Sequence, residues 1–375
     1  MKRLRKIEPG QPISDWLFLC LHDGYLEARK GKRKKTDEHK FELHAVEHLM
    51  NLTEDILERR YHPSPGIAFI TFKPVTREIF AAPFRDRVVH HFLYNGCADW
   101  WDRHFIADSY SCRDNKGTLY GIQRAAMHMR RASQNYTKKA YIIKLDIQGY
   151  FMSLPRLKLY ERVMWGLCRQ YKKDDPIFYI SEYLWREVIF DDPTKGVRKR
   201  GWPDNWQTLP ATKSLFCQPQ GQGIVIGNLT SQLMSNIYLD QLDRFITLDL
   251  GYKHYGRYVD DFYIIVEEER YEQAKKDIAK IETFLQDELQ LTLHPKKRYI
   301  QEIQRGMDFL GAYIYPQCLL PSKRLSKHFH DAVREYMAGK KDDASIVSYL
   351  GIIKHMNGKK YTSKVFDSVG WEYRY

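Results

Sequence analysis

Two adjacent aspartates stand in the string Tyr258-Val259-Asp260-Asp261, between two short apolar segments. This pattern predicts that both lie at the tip of a β-hairpin. Adjacent carboxylates repel each other, so a purely structural turn gains little from having both. A site for Mg²⁺ does gain from them, because this cation binds carboxylate oxygens and completes its shell with water and phosphate oxygens. A string this short also arises by chance, so the pair alone does not identify a site.

A third carboxylate, Asp146, ends the nearly continuous apolar run 141–147, Tyr-Ile-Ile-Lys-Leu-Asp-Ile. Such a run predicts a buried central strand that delivers an acid at its end. If this strand lies beside the hairpin, Asp146, Asp260 and Asp261 converge on one edge of a sheet. Three carboxylates there can hold two Mg²⁺ ions about 4 Å apart, with Mn²⁺ as a substitute, and so transfer a nucleotide to a 3′-hydroxyl. The alternative is a set of solvent-exposed strand ends without a catalytic role.

The segment 223–232, Gly-Ile-Val-Ile-Gly-Asn-Leu-Thr-Ser-Gln, joins a loop to a predicted helix. Its small and polar residues allow the backbone to approach a flat substrate, and a helix N-terminus favours anions. The competing interpretation is an ordinary helix cap, because Asn228 and Thr230 are both good capping residues. By itself this segment does not decide between the two.

The elements that must position these residues follow from the apolar patterns. The middle of the chain reads strand, helix, hairpin, helix, strand, which predicts an α+β fold with a split βαβ, ferredoxin-like antiparallel sheet. Around it the patterns predict helices over 14–60 with a basic loop at Arg29–Lys35, a strand at 66–72, a helix at 86–101, a loop-rich surface excursion at 190–223, an amphipathic helix at 270–289, a strand pair at 307–315 and a helical end from about 321.

The composition narrows the class of protein. The chain has 375 residues, a formal net charge of +13 and 43% hydrophobic residues, which excludes disorder of the whole chain and favours a polyanionic partner such as nucleic acid. Its six cysteines are scattered without a framework spacing, as expected of reduced thiols in the cytoplasm. The first apolar run, 16–21, is too short for a signal peptide or a membrane span, so we expect no association with a membrane.

Taken together and in order, the motifs of residues 60–320 resemble those of reverse transcriptases. The resemblance implies a right-hand polymerase, an RNA-directed DNA polymerase and nucleotidyltransferase that uses two Mg²⁺ ions, dNTPs, a template RNA and an RNA/cDNA duplex. It divides the chain into a basic helical extension (1–60), fingers (61–139), a palm (140–320) with an insertion at about 190–223, and a small helical thumb (321–375).

The resemblance also assigns roles to residues. Asp146, Asp260 and Asp261 match the catalytic, metal-binding aspartates. Phe151 matches an aromatic gate against the sugar 2′-position, and either Lys296 or Lys297 matches a proposed proton donor to the leaving pyrophosphate. The other implied nucleotide-binding residues are Arg77, Arg113, Ile226, Gly227 and Gln232, and the implied template- or primer-binding residues are Arg85, Arg87, Lys116, Tyr258, Phe309, Leu310 and Gly311.

One departure from the usual pattern suggests a subtype. Most members of the family have Gln-Gly and then Ser-Pro where this chain has Ile226-Gly227 and then Ser231-Gln232. This variant resembles the reverse transcriptases of diversity-generating retroelements, which implies error-prone cDNA synthesis in mutagenic retrohoming, assisted by an oligomeric accessory variability protein. A bacterial anti-phage defence reverse transcriptase is the alternative, because such enzymes share the motif pattern.

Two readings from other classes remain. His44-Ala45-Val46-Glu47-His48 fits the H-x-x-E-H pattern of a zinc peptidase, in which both histidines share a helix face and Glu47 is the base. No distal acid presents itself as the third ligand. The other reading is a nucleic-acid-binding protein with an inactive polymerase core, and the three retained aspartates argue against it.

Overall fold

The computed structural model describes residues 3–31, 36–72, 75–340 and 342–371. They form two compact units, each assembled from three separate stretches of chain. Unit 1 comprises residues 1–106, 147–242 and 284–292, and unit 2 comprises residues 107–146, 243–283 and 293–375. The limits of fingers, palm and thumb drawn from the sequence remain predictions, because compactness alone does not define them.

The helices are α1 (Ile13–Ala28), α2 (Thr36–Leu43), α3 (Ala45–Leu57), α4 (Phe84–His104), α5 (Thr118–Ala132), α6 (Tyr150–Ser153), α7 (Arg156–Gln170), α8 (Pro176–Phe190), α9 (Pro203–Gln207), α10 (Leu229–Arg244), α11 (Tyr271–Asp287), α12 (Lys323–Met337), α13 (Ala344–Ile353) and α14 (Lys359–Asp367). The strands are β1 (Ile67–Thr71), β2 (Arg77–Ala81), β3 (Ala140–Asp146), β4 (Arg198–Arg200), β5 (Tyr255–Tyr258), β6 (Asp261–Glu267), β7 (Tyr299–Glu302), β8 (Met307–Phe309), β9 (Ala312–Tyr315) and β10 (Cys318–Pro321).

In unit 1, the N-terminal helix α1 packs along α4. Its buried positions, including Trp16, Cys20 and Leu21, recur at helical spacing and form one apolar face. The two helices approach closely at Gly24, where an added Cβ would lie 2.9 Å from the carbonyl oxygen of Val88. Replacing Gly24 would therefore separate the helices. The same unit contains a three-stranded sheet of order β2-β1-β4.

The predicted surface excursion at 190–223 is more firmly anchored than its composition indicated. Its short strand β4 pairs with β1 in parallel. Within the excursion, Ser214 Oγ and the Leu215 backbone N–H donate to the buried Glu78 carboxylate, with donor–acceptor distances of 2.8 and 2.6 Å. Burial raises the Glu78 pKa, while these two bonds stabilise its ionised form. The segment is therefore part of the packed structure of unit 1.

Unit 2 is built on a four-stranded antiparallel sheet of order β5-β6-β3-β7. Along the chain β3 is followed, after other elements, by α10, β5, β6, α11 and β7, which is the ferredoxin-like order predicted from the sequence. Of these elements, α10 belongs to unit 1 as far as Leu242. Strand β3 lies between β6 and β7, and Ile142, Ile143 and Leu145 on it are fully buried. The prediction of a buried central strand is confirmed.

The C-terminal part of unit 2 differs from expectation in one element. The strand pair expected at 307–315 gains a third strand, β10, and the sheet order is β10-β9-β8. Strand β10 ends at Pro321 on the edge of this sheet, where a residue without an N–H is tolerated. The three helices that follow share a small apolar core, which includes Phe329, Val333 and Phe366.

The basic loop Arg29–Lys35 lies partly outside the described residues, since 32–35 are not among them. Arg29 forms an ion pair with Glu42 and lies over the Tyr25 ring, and Lys30 Nζ is 2.9 Å from a Glu27 oxygen. These two cations are thus already engaged by neighbouring side chains. No helix within 3–31, 36–72, 75–340 and 342–371 is both long and apolar enough to cross a membrane.

His90 on α4 makes stability dependent on pH. Its Nδ1 is 2.9 Å from Thr230 Oγ1, and burial lowers the His90 pKa to about 3, with His91 and Arg87 adding to the effect. The unfolded chain therefore binds a proton near pH 6.5 that the folded chain rejects, and stability falls as pH drops below that value. We expect a loss of about 2 kcal/mol between pH 7.5 and pH 5, measured as wild type against His90→Gln by chemical unfolding. An equal pH dependence in both proteins would contradict it.

Candidate active site

The sheet register of unit 2 gathers the three predicted aspartates at one edge. Asp146, the last residue of β3, is the Cα partner of Asp261, the first residue of β6. Tyr258 pairs with Asp261 in the hairpin, so Val259 and Asp260 form its two-residue turn. Asp146, which is distant from Asp260 and Asp261 in the sequence, is therefore next to them in the sheet.

The turn that carries Asp260 is strained. Val259 has φ +58°, in the left-handed region that a β-branched residue rarely occupies. Such a conformation costs of order 1–3 kcal/mol and persists only where the surroundings enforce it. The neighbouring contacts of this hairpin must therefore hold the turn in place.

Two lysines offset part of the negative charge of the three aspartates. Lys144 Nζ is 2.9 Å from Asp261 Oδ2, and Lys297 Nζ is 3.1 Å from both oxygens of Asp146. The structure thus brings Lys297 to the aspartates, whereas the Lys296 backbone N–H donates to His294 Nδ1. The sequence left the choice between these two lysines open. Lys144 was missed, although it interrupts an apolar strand two residues before Asp146 and so lies on the same face.

The residues present fit a hard divalent cation at this edge. Asp261 is three-quarters buried, and its Oδ1 has no hydrogen-bond partner. Burial raises the Asp261 pKa to about 6, with Asp260 and Asp146 adding to the rise and Lys144 opposing it. A buried carboxylate oxygen without a partner is costly, and a cation would stabilise it. In the described part of the chain, however, no three acidic, His or Cys side chains already form a metal-binding group.

A buried ion pair, Arg257–Asp243, contacts the turn of the hairpin. The sequence analysis did not predict it. Arg257 Nε and Nη2 each lie 2.6 Å from an oxygen of Asp243 at the end of α10, and both side chains are fully buried. Arg257 Nη1 also donates to the carbonyl oxygen of Val259 at 3.1 Å. The sequence signal for it was an arginine directly before Tyr258, in a strand whose other residues are uncharged.

The hairpin formed by β8 and β9 lies in the same unit. Phe309 is fully buried against Tyr263, and its ring lies 5.7 Å from Lys144 Nζ. Its turn consists of Leu310 and Gly311, with φ +54° and +87°. Of the three residues that the resemblance assigns to primer binding here, only these two have surface available to a ligand.

The remaining predicted residues of unit 2 make contacts close to their own segment. Arg113 Nη1 donates to the Ser109 carbonyl oxygen at 3.0 Å, and Lys116 Nζ donates to the Ala107 carbonyl oxygen at 2.6 Å. Both side chains are partly exposed. Their assignments to nucleotide and template remain predictions.

In unit 1 the structure brings Phe151, Ile226 and Gly227 together beside β2. Phe151 and Ile226 pack, partly exposed, against one apolar cluster that includes Phe80. The Phe80 backbone N–H donates to the Ile226 carbonyl oxygen at 2.9 Å. Gly227 has φ +133°, and an added Cβ would lie 2.4 Å from the Phe80 carbonyl oxygen, so only glycine fits. In the loop-to-helix junction 223–232, where the sequence predicted that the backbone could approach a flat substrate, position 227 therefore requires glycine.

Four other residues of unit 1 were predicted to bind nucleotide or template. Two of them are exposed, and the other two bind protein groups. Arg77 begins β2 and is exposed, as is Gln232 in the first turn of α10. Arg85 pairs with Asp55 at 2.8 Å and lies over the Tyr61 ring, and Arg87 Nε donates to the Ala82 carbonyl oxygen at 2.8 Å. Arg85 and Arg87 thus hold the start of α4.

The H-x-x-E-H pattern of a zinc peptidase lies at the start of α3. His44 is the N-cap of this helix, and its carbonyl oxygen accepts from the His48 N–H at 2.9 Å, so the two histidines share the first turn and their ring centroids lie 6.2 Å apart. His48 stacks on Phe41, and His44 Nδ1 is 3.6 Å from Glu47. No third ligand gathers with them in the described segments. A pair of histidines without a third ligand does not make a zinc site.

A ferredoxin-like sheet with aspartates at one edge fits the class of nucleotidyl-transferring polymerases, and comparison with known families gives the particular family. Residues 77–314, more than half of the chain, match the family described as reverse transcriptase (RNA-dependent DNA polymerase). The chain belongs to this family, and the predicted fold class is confirmed.

Solved structures with a similar fold include two telomerases in complex with a fragment of telomeric RNA. The Candida albicans protein is 10% identical, with a TM-score of 0.45 and coverage of 82% of this chain and 55% of that one. The Candida tropicalis protein is 11% identical, with a TM-score of 0.48 and coverage of 88% and 59%. This chain thus spans little more than half of their length. A search of curated proteins found no match.

Proposed function

We propose that this protein copies an RNA template into cDNA from dNTPs by two-metal nucleotidyl transfer. The observation that carries the proposal is the register that sets Asp146 opposite Asp261, with Asp260 in the adjoining turn. This edge supplies the carboxylates that the reaction requires, in a chain of the reverse transcriptase family.

The contacts of each residue at the site support a separate role for it. Asp146, Asp260 and Asp261 would hold two Mg²⁺ ions, which when bound activate the 3′-hydroxyl and neutralise the triphosphate. Lys144 keeps Asp261 oriented. Lys297 has a flexible stem and a half-exposed ammonium next to Asp146, so it can donate a proton to the departing pyrophosphate. Arg77, exposed on unit 1, would bind triphosphate oxygens.

Primer extension tests the proposal directly. The purified protein, given an RNA template, a DNA primer, dNTPs and Mg²⁺, should extend the primer with the complementary sequence. His44→Ala should extend as well as wild type, since it lies outside the aspartate edge. Absence of extension by wild type on every primed RNA offered, or loss of extension in His44→Ala, would contradict the assignment.

Phe151 is proposed as the sugar gate. Its partly exposed ring packs on the same cluster as Ile226, beside the required Gly227. Phe151→Val removes most of the ring, so a ribose 2′-hydroxyl should be admitted and rNTP incorporation relative to dNTP should rise by about 10-fold or more. Single-nucleotide insertion kinetics with paired dNTP and rNTP measure this ratio. Val225→Ala, on the same cluster, is the matched control and should leave the ratio unchanged.

For the biological role we propose the diversity-generating retroelement, with an accessory variability protein as partner. The support is the Ile226-Gly227…Ser231-Gln232 variant, in which an apolar side chain replaces an amide. Loss of one hydrogen bond near the new base pair weakens selection by about 1 kcal/mol. Ile226→Gln should therefore raise fidelity severalfold. Near-identical repeats in the neighbouring DNA that differ mainly at adenines would support this role, and a defence gene island would support the alternative.

A further inference from the structure

The fully buried Arg257–Asp243 pair lies within a larger network at the base of the hairpin. Tyr255 Oη donates to Asp243 Oδ1 at 2.6 Å, and Arg257 Nη2 donates to Ser109 Oγ at 3.1 Å. The backbone of Arg257 is also fixed, because its N–H donates to the Asp108 carbonyl oxygen and its own carbonyl accepts from Tyr110. The guanidinium therefore cannot move without breaking contacts to three segments of unit 2.

Stability alone does not account for such a pair. Withdrawing two charges from water is costly, and replacing a buried ion pair by apolar residues is often neutral or stabilising. The arrangement does have a specific geometric effect. One end of the guanidinium is held by two bonds to Asp243, and the other end reaches the Val259 carbonyl oxygen.

That carbonyl belongs to the peptide bond that joins Val259 to Asp260. Fixing its direction fixes the plane of the peptide that enters Asp260, and with it the direction in which the Asp260 side chain leaves the turn. Val259 has φ +58°, a conformation that relaxes unless its surroundings hold it. A rigid donor, anchored in the protein interior, supplies that constraint.

We propose that Arg257, anchored by Asp243, is a positioning residue that aims Asp260 by holding the strained catalytic turn through the Val259 carbonyl. The inference rests on the proposed function, since it concerns the same aspartate edge. This positioning role requires a guanidinium, because its planar group presents several N–H donors in fixed directions. Lysine offers one ammonium and cannot reach Asp243, Ser109 and Val259 together.

Two variants separate positioning from folding. Arg257→Lys retains a cation for Asp243, and Arg257→Met/Asp243→Leu replaces the whole pair by apolar side chains, which avoids an uncompensated buried charge. Arg162→Met/Asp240→Leu is the matched control, because this ion pair in unit 1 has an N–O distance of 2.7 Å and similarly buried side chains. Each protein is assayed for thermal unfolding and for kcat and KM of dNTP in primer extension.

We expect both Arg257 variants, assayed where they are folded, to lose about 10²-fold in kcat while KM for dNTP changes less than about threefold. The control pair should retain wild-type kcat. Wild-type kcat in either folded Arg257 variant, or an equal loss in the Arg162 control, would overturn the positioning role. Failure of the wild-type protein itself to extend a primer would instead contradict the proposed function.

Discussion

Replacing Asp146 or Asp260 by Asn is expected to lower kcat for primer extension by at least about 10³-fold, equivalent to about 4 kcal/mol of transition-state stabilisation. Asn keeps the shape of the side chain but removes the charge that a divalent cation requires. The fold should persist. Among the described residues, the Asp146 carboxylate forms an ion pair with Lys297, whose side chain is about half exposed, and such pairs contribute little to stability.

Single-turnover extension with saturating dNTP measures this loss, and thermal unfolding confirms that each variant is folded. Glu302→Gln is the matched control. It removes a carboxylate from the same sheet, but at the opposite end of β3, where Glu302 is the partner of Tyr141. If Asp260→Asn retains more than about a tenth of wild-type kcat, the catalytic centre does not lie at this edge of the sheet.

Gly227→Ala is expected to destabilise the protein by about 3 kcal/mol or more and to reduce primer extension. Two penalties add. The residue has φ +133°, which disfavours any side chain, and its Cβ would lie 2.4 Å from the Phe80 carbonyl oxygen. The hydrogen bond from the Phe80 N–H to the Ile226 carbonyl would be displaced as well. Urea unfolding measures the change in free energy.

Gly221→Ala separates the two penalties. Gly221 also has a positive φ, +83°, but nothing lies within 4 Å of an added Cβ. It should lose only the conformational part, about 1 kcal/mol. Equal losses in the two variants would mean that the contact with Phe80 is not the reason for glycine at position 227.

The central architecture was predictable because its signals are local. The apolar run ending at Asp146 and the short segments flanking Asp260-Asp261 each specify a strand without reference to the rest of the chain. Their order along the sequence then restricts the topology to a ferredoxin-like sheet. The convergence of the aspartates followed from that topology, and the observed register of β3 and β6 agrees with it.

The partners of the aspartates were not predictable, because they depend on which face and register distant residues adopt. Either Lys296 or Lys297 could reach Asp146 from sequence alone, and only the path of the chain after His294 selects Lys297. The pairing of Arg257 with Asp243 depends in the same way on how the end of α10 meets the hairpin.

Two further features were not predicted from the sequence, each for a local physical reason. Strand β10 is only four residues long and ends in proline, so neither alternation nor propensity marks it. The amphipathic pattern of 270–289 gives no sign that a charged residue of this helix, Asp277, is buried. Its carboxylate is satisfied there by the Tyr252 hydroxyl at 2.7 Å. Periodicity cannot show that a buried polar position has a partner.

Because each unit is assembled from separate stretches of chain, parts of its sheet are synthesised at different times. The central strand β3 ends at Asp146, but both of its sheet neighbours, β6 and β7, are synthesised more than 100 residues later. A ribosome must therefore release most of the chain before this strand can be paired, and its apolar residues stay exposed in the meantime. Such long-range pairing folds slowly and favours aggregation. Chaperones that cover exposed apolar segments should therefore raise the yield of folded protein.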